Sequence, residues 1–332
     1  VLRIIFTAED LRRLRVAPGP DHMWEVTNSV QTLQRRDGTA AFGAWRQAVR
    51  PRLSADSRIL ADLLPPYGYS PDFLTPAPGT PTPGVGGLAT AVRAVTGTPA
   101  HRLDTDLTRL AAGRRLSGWV GRLAQGQHSA TDALGRAIHA FHTEALAPYW
   151  PRIRAHVEAD CLLRRHTARE AGPEALLAGL GPRMRWVPPA LEVAYPVSQT
   201  LQLRGRGLTL QPSYFCWPAP VSLYDHTLAP VLVYPVPHDL WARPGARHDP
   251  VQALGALMGP VRAAVLVAAC TARSTGELAG SLAVSTSSVS QHTAKLRHAG
   301  LLITVRQAGR ALHITTALGH ALIRGAQGGS LQ

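Results

Sequence analysis

In the stretch VSTSSVSQHTAKLRHAG, residues 284–300, Ser287, Gln291 and Lys295 recur at every fourth position. Six of the nine residues from Ser285 to Thr293 carry a hydroxyl. That is a heavy load for a helix, because Ser and Thr compete with the backbone for its hydrogen bonds. These side chains suit one kind of chemistry. Short hydroxyls donate to phosphate oxygens at close range, and a carboxamide can donate and accept together along the edge of an adenine. The free N–H groups at a helix start add further donors for an anion. The stretch therefore offers polar contact with a phosphate-bearing surface, and Lys295 adds one cation further along.

The flanking sequence supplies the elements that would hold this face outward. Ser285 is a natural N-cap, and Gly300 ends the helix. Val289, Thr293 and Leu296 fall on one side at i, i+4 and i+7. The opposite side then collects Ser287, Ser288, Ser290, Gln291 and Lys295. Upstream, Ser274 and Glu277 have the spacing of a capping box, and Leu278, Ala279 and Leu282 stripe a short helix. One or two apolar helices, interrupted at Gly259-Pro260, precede it. Downstream, LLITV and ALHIT alternate as two strands joined by RQAGR, and a last helix covers 317–324. Helix, turn, helix and hairpin is the order of a winged helix-turn-helix domain, whose second helix lies in the DNA major groove.

Residues 250–324 resemble the DNA-binding domain of ArsR-type bacterial repressors. The words that carry the resemblance are LMGPVRAAVL, TGELAGSLAVSTSSVSQHTAKLRHAGLL and GRALHITTALGHALI. The run VSQHTAKLRHAGLL follows the family's usual VSxHLxxLxxAGLV, with Thr293 where Leu is common. The resemblance implies a homodimeric regulator that occupies double-stranded operator DNA until a signal, such as a small-molecule effector, releases it. By position it implies Ser287, Ser288, Ser290, Gln291, His292 and Lys295 as recognition-helix contacts. Arg306 and Arg310 would be wing contacts. Metal-sensing members carry Cys-x-Cys in the first helix of the motif, where this chain reads GELAGSLA. Others place Asp and His on the terminal helix, where this chain has His320 without an acid. No metal and no cofactor is expected. The long N-terminal part is similar to extensions in a group of proteins from GC-rich bacteria, a resemblance that implies no residue roles.

Length and composition fit this reading. A chain of 332 residues suggests about two domains, and 45% hydrophobic residues can build sizeable cores. Net charge is +14, but Lys295 is the only lysine among 35 basic residues, a sign of GC-rich codon usage as much as of function. Location says more. Residues 249–332 hold seven basic residues against two acids, seven minus two giving +5 in a quarter of the chain. No run is apolar enough to span a membrane, and acids within the first ten residues argue against a signal peptide. Three distant cysteines suit reduced thiols in a cytoplasm.

The pattern predicts an α+β chain. A mostly helical N-terminal domain, residues 1–245, carries a small antiparallel sheet in a β-rich part over about 190–240, and a winged helix-turn-helix domain covers 246–326. Thr7 and Asp10 form a capping box after a strand at 3–6. Helices are expected near 21–35, 41–50, 57–64 and from 86 to 180, including 130–146 with Leu134, Ile138, Phe141 and Ala145 on its stripe. Proline-rich residues 65–84 read as an irregular surface loop, and 243–250 as a linker. TLQLRGRGLTL reads as a β-hairpin about its glycines. The aromatics between Trp186 and Trp241 either line a pocket or fill a core, with the core favoured. His139 and His142, near His156, Glu158 and Asp160, could bind Zn²⁺, but a structural role is favoured. Cys270 is expected to be a small buried residue.

Two other functions stay open. One is a hydrolase-like enzyme built on the N-terminal domain; the chain has no phosphate-binding glycine loop, Gly-x-Ser-x-Gly or paired-carboxylate motif to support it. The other is a protein-interaction adaptor, against which stand the polar helix face and the basic wing. A non-enzymatic DNA-binding regulator fits best.

Overall fold

The computed structural model describes residues 1–76, 87–238, 249–307 and 310–326, without the side chains of 307, 310, 324 and 325. The chain forms two compact units, Val1–Asp239 and Leu240–Gln332. The expected boundary after residue 245, most of the 243–250 linker and Trp241 lie outside the described residues. Helices predominate and the sheets are small, a mixed organisation compatible with α+β.

The N-terminal unit opens with β1 (Leu2–Ile5), α1 (Ala8–Arg12) and β2 (Arg15–Val16). Thr7 caps α1 in a capping box with Asp10, as its spacing predicts. Then come α2 (His22–Gln34), α3 (Thr39–Val49) and α4 (Ala55–Arg58). After residues 77–86, which lie outside the described residues, follow α5 (Leu88–Thr96), α6 (Ala100–Ala111), α7 (Gly118–Ala124), α8 (His128–Phe141) and α9 (Trp150–Ala178). Leu134, Ile138, Phe141 and Ala145 are all buried. One π-helical turn over His142–Leu146 widens the end of α8. The proline-rich stretch is not wholly a surface loop. Phe73 and Leu74 enter the core, and the Phe73 N–H donates to Asp106 Oδ2 at 2.9 Å.

Six short strands complete the unit: β3 (Met184–Val187), β4 (Ala190–Val193), β5 (Gln199–Gln202), β6 (Thr209–Ser213), β7 (Val221–Ser222) and β8 (Val231–Pro235). They do not form the antiparallel sheet that the sequence suggests. One sheet runs β3-β4-β1-β5, with β1 antiparallel to β4 and parallel to β5. The other runs β2-β6-β8-β7, with β6 parallel to both β2 and β8. The expected hairpin in TLQLRGRGLTL is also absent, because β5 and β6 belong to different sheets. Its alternation is real, since Leu201, Leu203, Leu208 and Leu210 are all buried. The glycine-rich centre instead wraps around the first helix. Arg13 donates to the Gly205 carbonyl at 2.8 Å, and the Gly207 N–H donates to buried Asp10 at 2.9 Å.

The aromatics of this region mostly pack. Tyr214 and Phe215 are buried, and Phe215 lies 4.5 Å from Trp45 and 5.5 Å from Phe42 between ring centroids. They sit just past β6, where Glu25 of α2 receives the Tyr214 N–H at 2.8 Å and the Phe215 N–H at 3.1 Å. Burial pushes the Glu25 carboxyl up to about 7, against the pull of these donors. His142, four residues after buried Ile138, lies 3.2 Å from His22, which stacks on Trp150. Burial, then the neighbouring His22 and His139, pushes His142 down to about 4.

The two groups oppose each other in pH. Protonated Glu25 stabilises the fold below its ordinary 4.5, and that contribution is lost as pH rises through about 7. Neutral His142 stabilises it above 6.5, and that contribution is lost as pH falls through about 4. In wild type they largely cancel between about pH 4.5 and 6.5. In Glu25→Gln the histidine contribution stands uncovered. The melting midpoint of this unit should then rise with pH over that window, measured by calorimetry. An equally flat profile in both proteins would contradict this assignment.

The C-terminal unit contains α10 (Pro250–Met258), α11 (Pro260–Ala268), β9 (Arg273–Ser274), α12 (Thr275–Leu282), α13 (Thr286–His298), β10 (Leu302–Gln307), β11 (Arg310–Thr315) and α14 (Ala317–Ala326). Its sheet runs β10-β11-β9. Leu254, Leu266, Leu278, Val289, Leu296, Leu302 and Ile323 share one core, so every one of its helices contributes to it. Cys270 is not buried as expected but exposed. It follows the C-cap Ala269, which takes the buried position, and so points away from the core.

Candidate nucleic-acid interface

The polar face of α13 is set by what surrounds it. Ser274 caps α12, accepting from the Glu277 N–H, while Glu277 accepts from the Ser274 N–H at 2.7 Å. α12 stops at Ala283, which adopts φ 53°, and the Val284 N–H returns to the Ala279 carbonyl at 3.1 Å. This closure turns the chain sharply into Ser285. Its hydroxyl accepts from the Ser288 N–H at 3.2 Å and so starts α13. At the far end Gly300 takes φ 71°, and the Leu301 N–H bonds the Leu296 carbonyl at 2.9 Å.

Val289, Thr293 and Leu296 are buried, as their spacing requires. Thr293 is accommodated because its hydroxyl donates to the Ser290 carbonyl of its own helix at 3.1 Å, which leaves the methyl for the core. Ser287, Ser290, Gln291 and Lys295 are exposed, so the row Ser287–Gln291–Lys295 runs along the open side. Ser288 and His292 are half-buried and lie toward the inner side of the helix. Burial, then the charges of Arg262 and Lys295, holds the His292 imidazole below its ordinary range.

The hairpin pairs Leu302 with Thr315, Arg306 with Ala311 and Gln307 with Arg310. Arg306 is exposed near its far end. The Arg310 side chain and residues 308–309 lie outside the described residues. β9 joins β11 through Ser274 and Leu312, which ties the hairpin to the start of α12. Buried His313 strengthens that tie, bonding Thr275 Oγ1 at 2.9 Å and Thr304 Oγ1 at 3.0 Å. Burial, then Arg297, lowers its pKa, which favours a neutral imidazole that can donate through one nitrogen and accept through the other. The hairpin, β9 and the start of α12 are therefore bonded to one another beside α13.

Sequence reasoning passes over two of these residues. Nothing in the spacing of Arg262 or His313 points to α13, because each reaches its neighbourhood through tertiary packing. The zinc reading of the histidines finds no site. His139 is exposed, His142 faces His22, and His156 bonds the Arg152 carbonyl at 2.9 Å. Among the described residues no group of three or more His, Cys, Asp or Glu side chains could hold a metal ion, and no helix is long and apolar enough to cross a membrane. No family model, curated protein or solved structure matches the chain.

Proposed function

We propose that the chain is a cytoplasmic, sequence-specific DNA-binding regulator of transcription. Its C-terminal unit acts as a winged helix-turn-helix of the ArsR type, with α13 reading the major groove of double-stranded DNA and the β10–β11 hairpin serving as the wing. It works as a homodimer on a two-fold operator, in the manner of a repressor. The observation that carries this reading is the division of α13. One side is buried through Val289, Thr293 and Leu296, while the other exposes small hydroxyls, one carboxamide and one ammonium. The N-terminal unit would supply signal sensing, assembly or both. A cleft of about 670 Å³, lined by Arg102, Arg109, Tyr224 and Asp225 among others, offers room for a small polar effector.

The test separates reading from holding. Gln291 lies mid-row on the exposed side, within reach of base edges. Gln291→Ala should cost about 1–3 kcal/mol on the preferred site and relax preference at one or two base pairs. Arg306→Ala should weaken all sequences about equally. Competition over a randomised duplex library distinguishes the two. An unchanged preference profile in Gln291→Ala would mean that α13 does not read DNA through this face.

A further inference from the structure

Beside the exposed row of α13, the C-terminal unit holds two nitrogen-bearing side chains with no hydrogen-bond or ion-pair partner among the described residues. Arg262 stands near the start of α11 and His292 midway along α13, and these helices pack on each other. Arg262 Nε and His292 Nδ1 are buried without a hydrogen-bond partner. Their remaining nitrogens make no hydrogen bond or ion pair among the described residues and are not buried, so they open to solvent. The stems are thus fixed while the tips keep their donors free. A half-buried arginine is usually answered by a carboxylate. Here the two acids from residue 249 onward both hold helix starts. Asp249 accepts from the Val251 N–H at 3.0 Å, and Glu277 is engaged with Ser274.

We propose that Arg262 and His292 form an oxyanion site that grips a phosphodiester group of the DNA backbone beside α13. This rests on the reading of α13 as the DNA-contacting helix, and it adds a contact from α11 that the winged-helix pattern of the sequence does not indicate. Arg262 supplies a planar fork of donors with its stem already immobilised, so little side-chain entropy is lost on binding. His292 supplies a donor whose charge depends on the ligand. Of the elements packed on α13, α11 carries Arg262, α12 carries Glu277 and β10 carries Arg306; the charges that act on the imidazole are those of Arg262 and, on α13 itself, Lys295, and both repel its proton. An arriving phosphate reverses that balance. The imidazole then takes up a proton from solvent, and binding tightens as pH falls.

The experiment is fluorescence anisotropy of the full chain with a mixed-sequence duplex, across salt concentrations and from about pH 8 to about pH 5.5. Arg262→Gln should weaken binding to every duplex by roughly five- to twenty-fold and reduce the salt slope by about one for each phosphate it no longer neutralises. Arg262→Lys should keep the slope. Wild type should tighten on acidification, and His292→Gln should not. If Arg262→Gln does not fold, the Arg262→Lys slope and the His292→Gln pH profile still decide. Inorganic phosphate replacing chloride at equal ionic strength should compete no better than chloride; selective competition would make this a site for free phosphate and overturn the assignment to DNA. If wild type binds no duplex, the DNA reading itself falls. If wild type binds while Arg262→Gln keeps its affinity and slope, this site alone falls.

Discussion

Affinity for duplex DNA should fall by roughly a thousand-fold when salt is raised from about 50 to about 200 mM. The expectation follows from where the charge lies. The segment from residue 249 carries +5, seven basic residues less two acids, and both acids are engaged at helix starts. Lys295 and Arg306 are exposed on the side that faces away from the core, and Arg310 belongs to the same hairpin. In a homodimer, two copies of these three residues would neutralise about six phosphates. Each neutralised phosphate releases about 0.9 counterion, so these three residues alone give log affinity against log salt a slope near −5, which phosphate contacts by Arg262 would steepen. Titration of one duplex at several salt concentrations measures it. A flat line would remove the phosphate contacts, and with them the proposed role of the hairpin. A slope half as steep would fit a single protomer on DNA.

The N-terminal unit should lose about 2–5 kcal/mol of stability in Gly207→Ala. Gly207 takes φ 74°, which disfavours any side chain. An added Cβ would also lie 2.5 Å from Arg13 Cβ and 2.6 Å from the Arg13 carbonyl oxygen. Neither neighbour can swing aside, because Arg13 is the C-cap of α1 and its carbonyl is backbone. Relief would require moving the Gly207 N–H away from Asp10, whose carboxylate also accepts from the Thr7 N–H at 2.8 Å. Burial opposes ionisation of Asp10, yet these donors together hold its pKa below the usual range, so the group is ionised and costly to strand. Gly205 is the control. It has a similar φ of 80°, but the nearest atom to an added Cβ is the flexible Glu9 Cγ at 3.6 Å. Gly205→Ala should therefore cost only about 1 kcal/mol, the conformational part alone. Urea denaturation followed by tryptophan fluorescence compares the two. Equal losses would show that the close approach to Arg13 does not matter.

Local signals proved reliable where the physics is local. The capping boxes at Thr7 and Ser274, the N-cap at Ser285, the glycine stop at Gly300 and the buried side of α13 all follow from neighbours within four residues. A helix start or an amphipathic stripe is specified within a turn or two, so the sequence alone determined these elements and, with them, the exposed face of α13 apart from Ser288, which is half-buried. The hairpin from Leu302 to Thr315 was legible for the same reason, since only two residues separate its strands in sequence.

Tertiary structure decided the rest, because strand partners and side-chain neighbours are chosen by packing across the chain. The alternating leucines around Gly205 indicated strands but could not indicate which strands they join. β5 pairs with β1 and β6 with β2, both from the first sixteen residues. Parallel pairing of that kind leaves no turn signal between its members. His142 met His22, 120 residues away in sequence, because it continues the buried side of α8 four residues after Ile138. Cys270 became exposed because α11 ends at Ala268 and its C-cap Ala269 takes the buried position. Arg262 came to lie near His292 only through the packing of α11 on α13. Sequence could thus name the residues of the polar face, while the fold alone supplied the buried stems, free tips and missing carboxylate that make Arg262 and His292 a site.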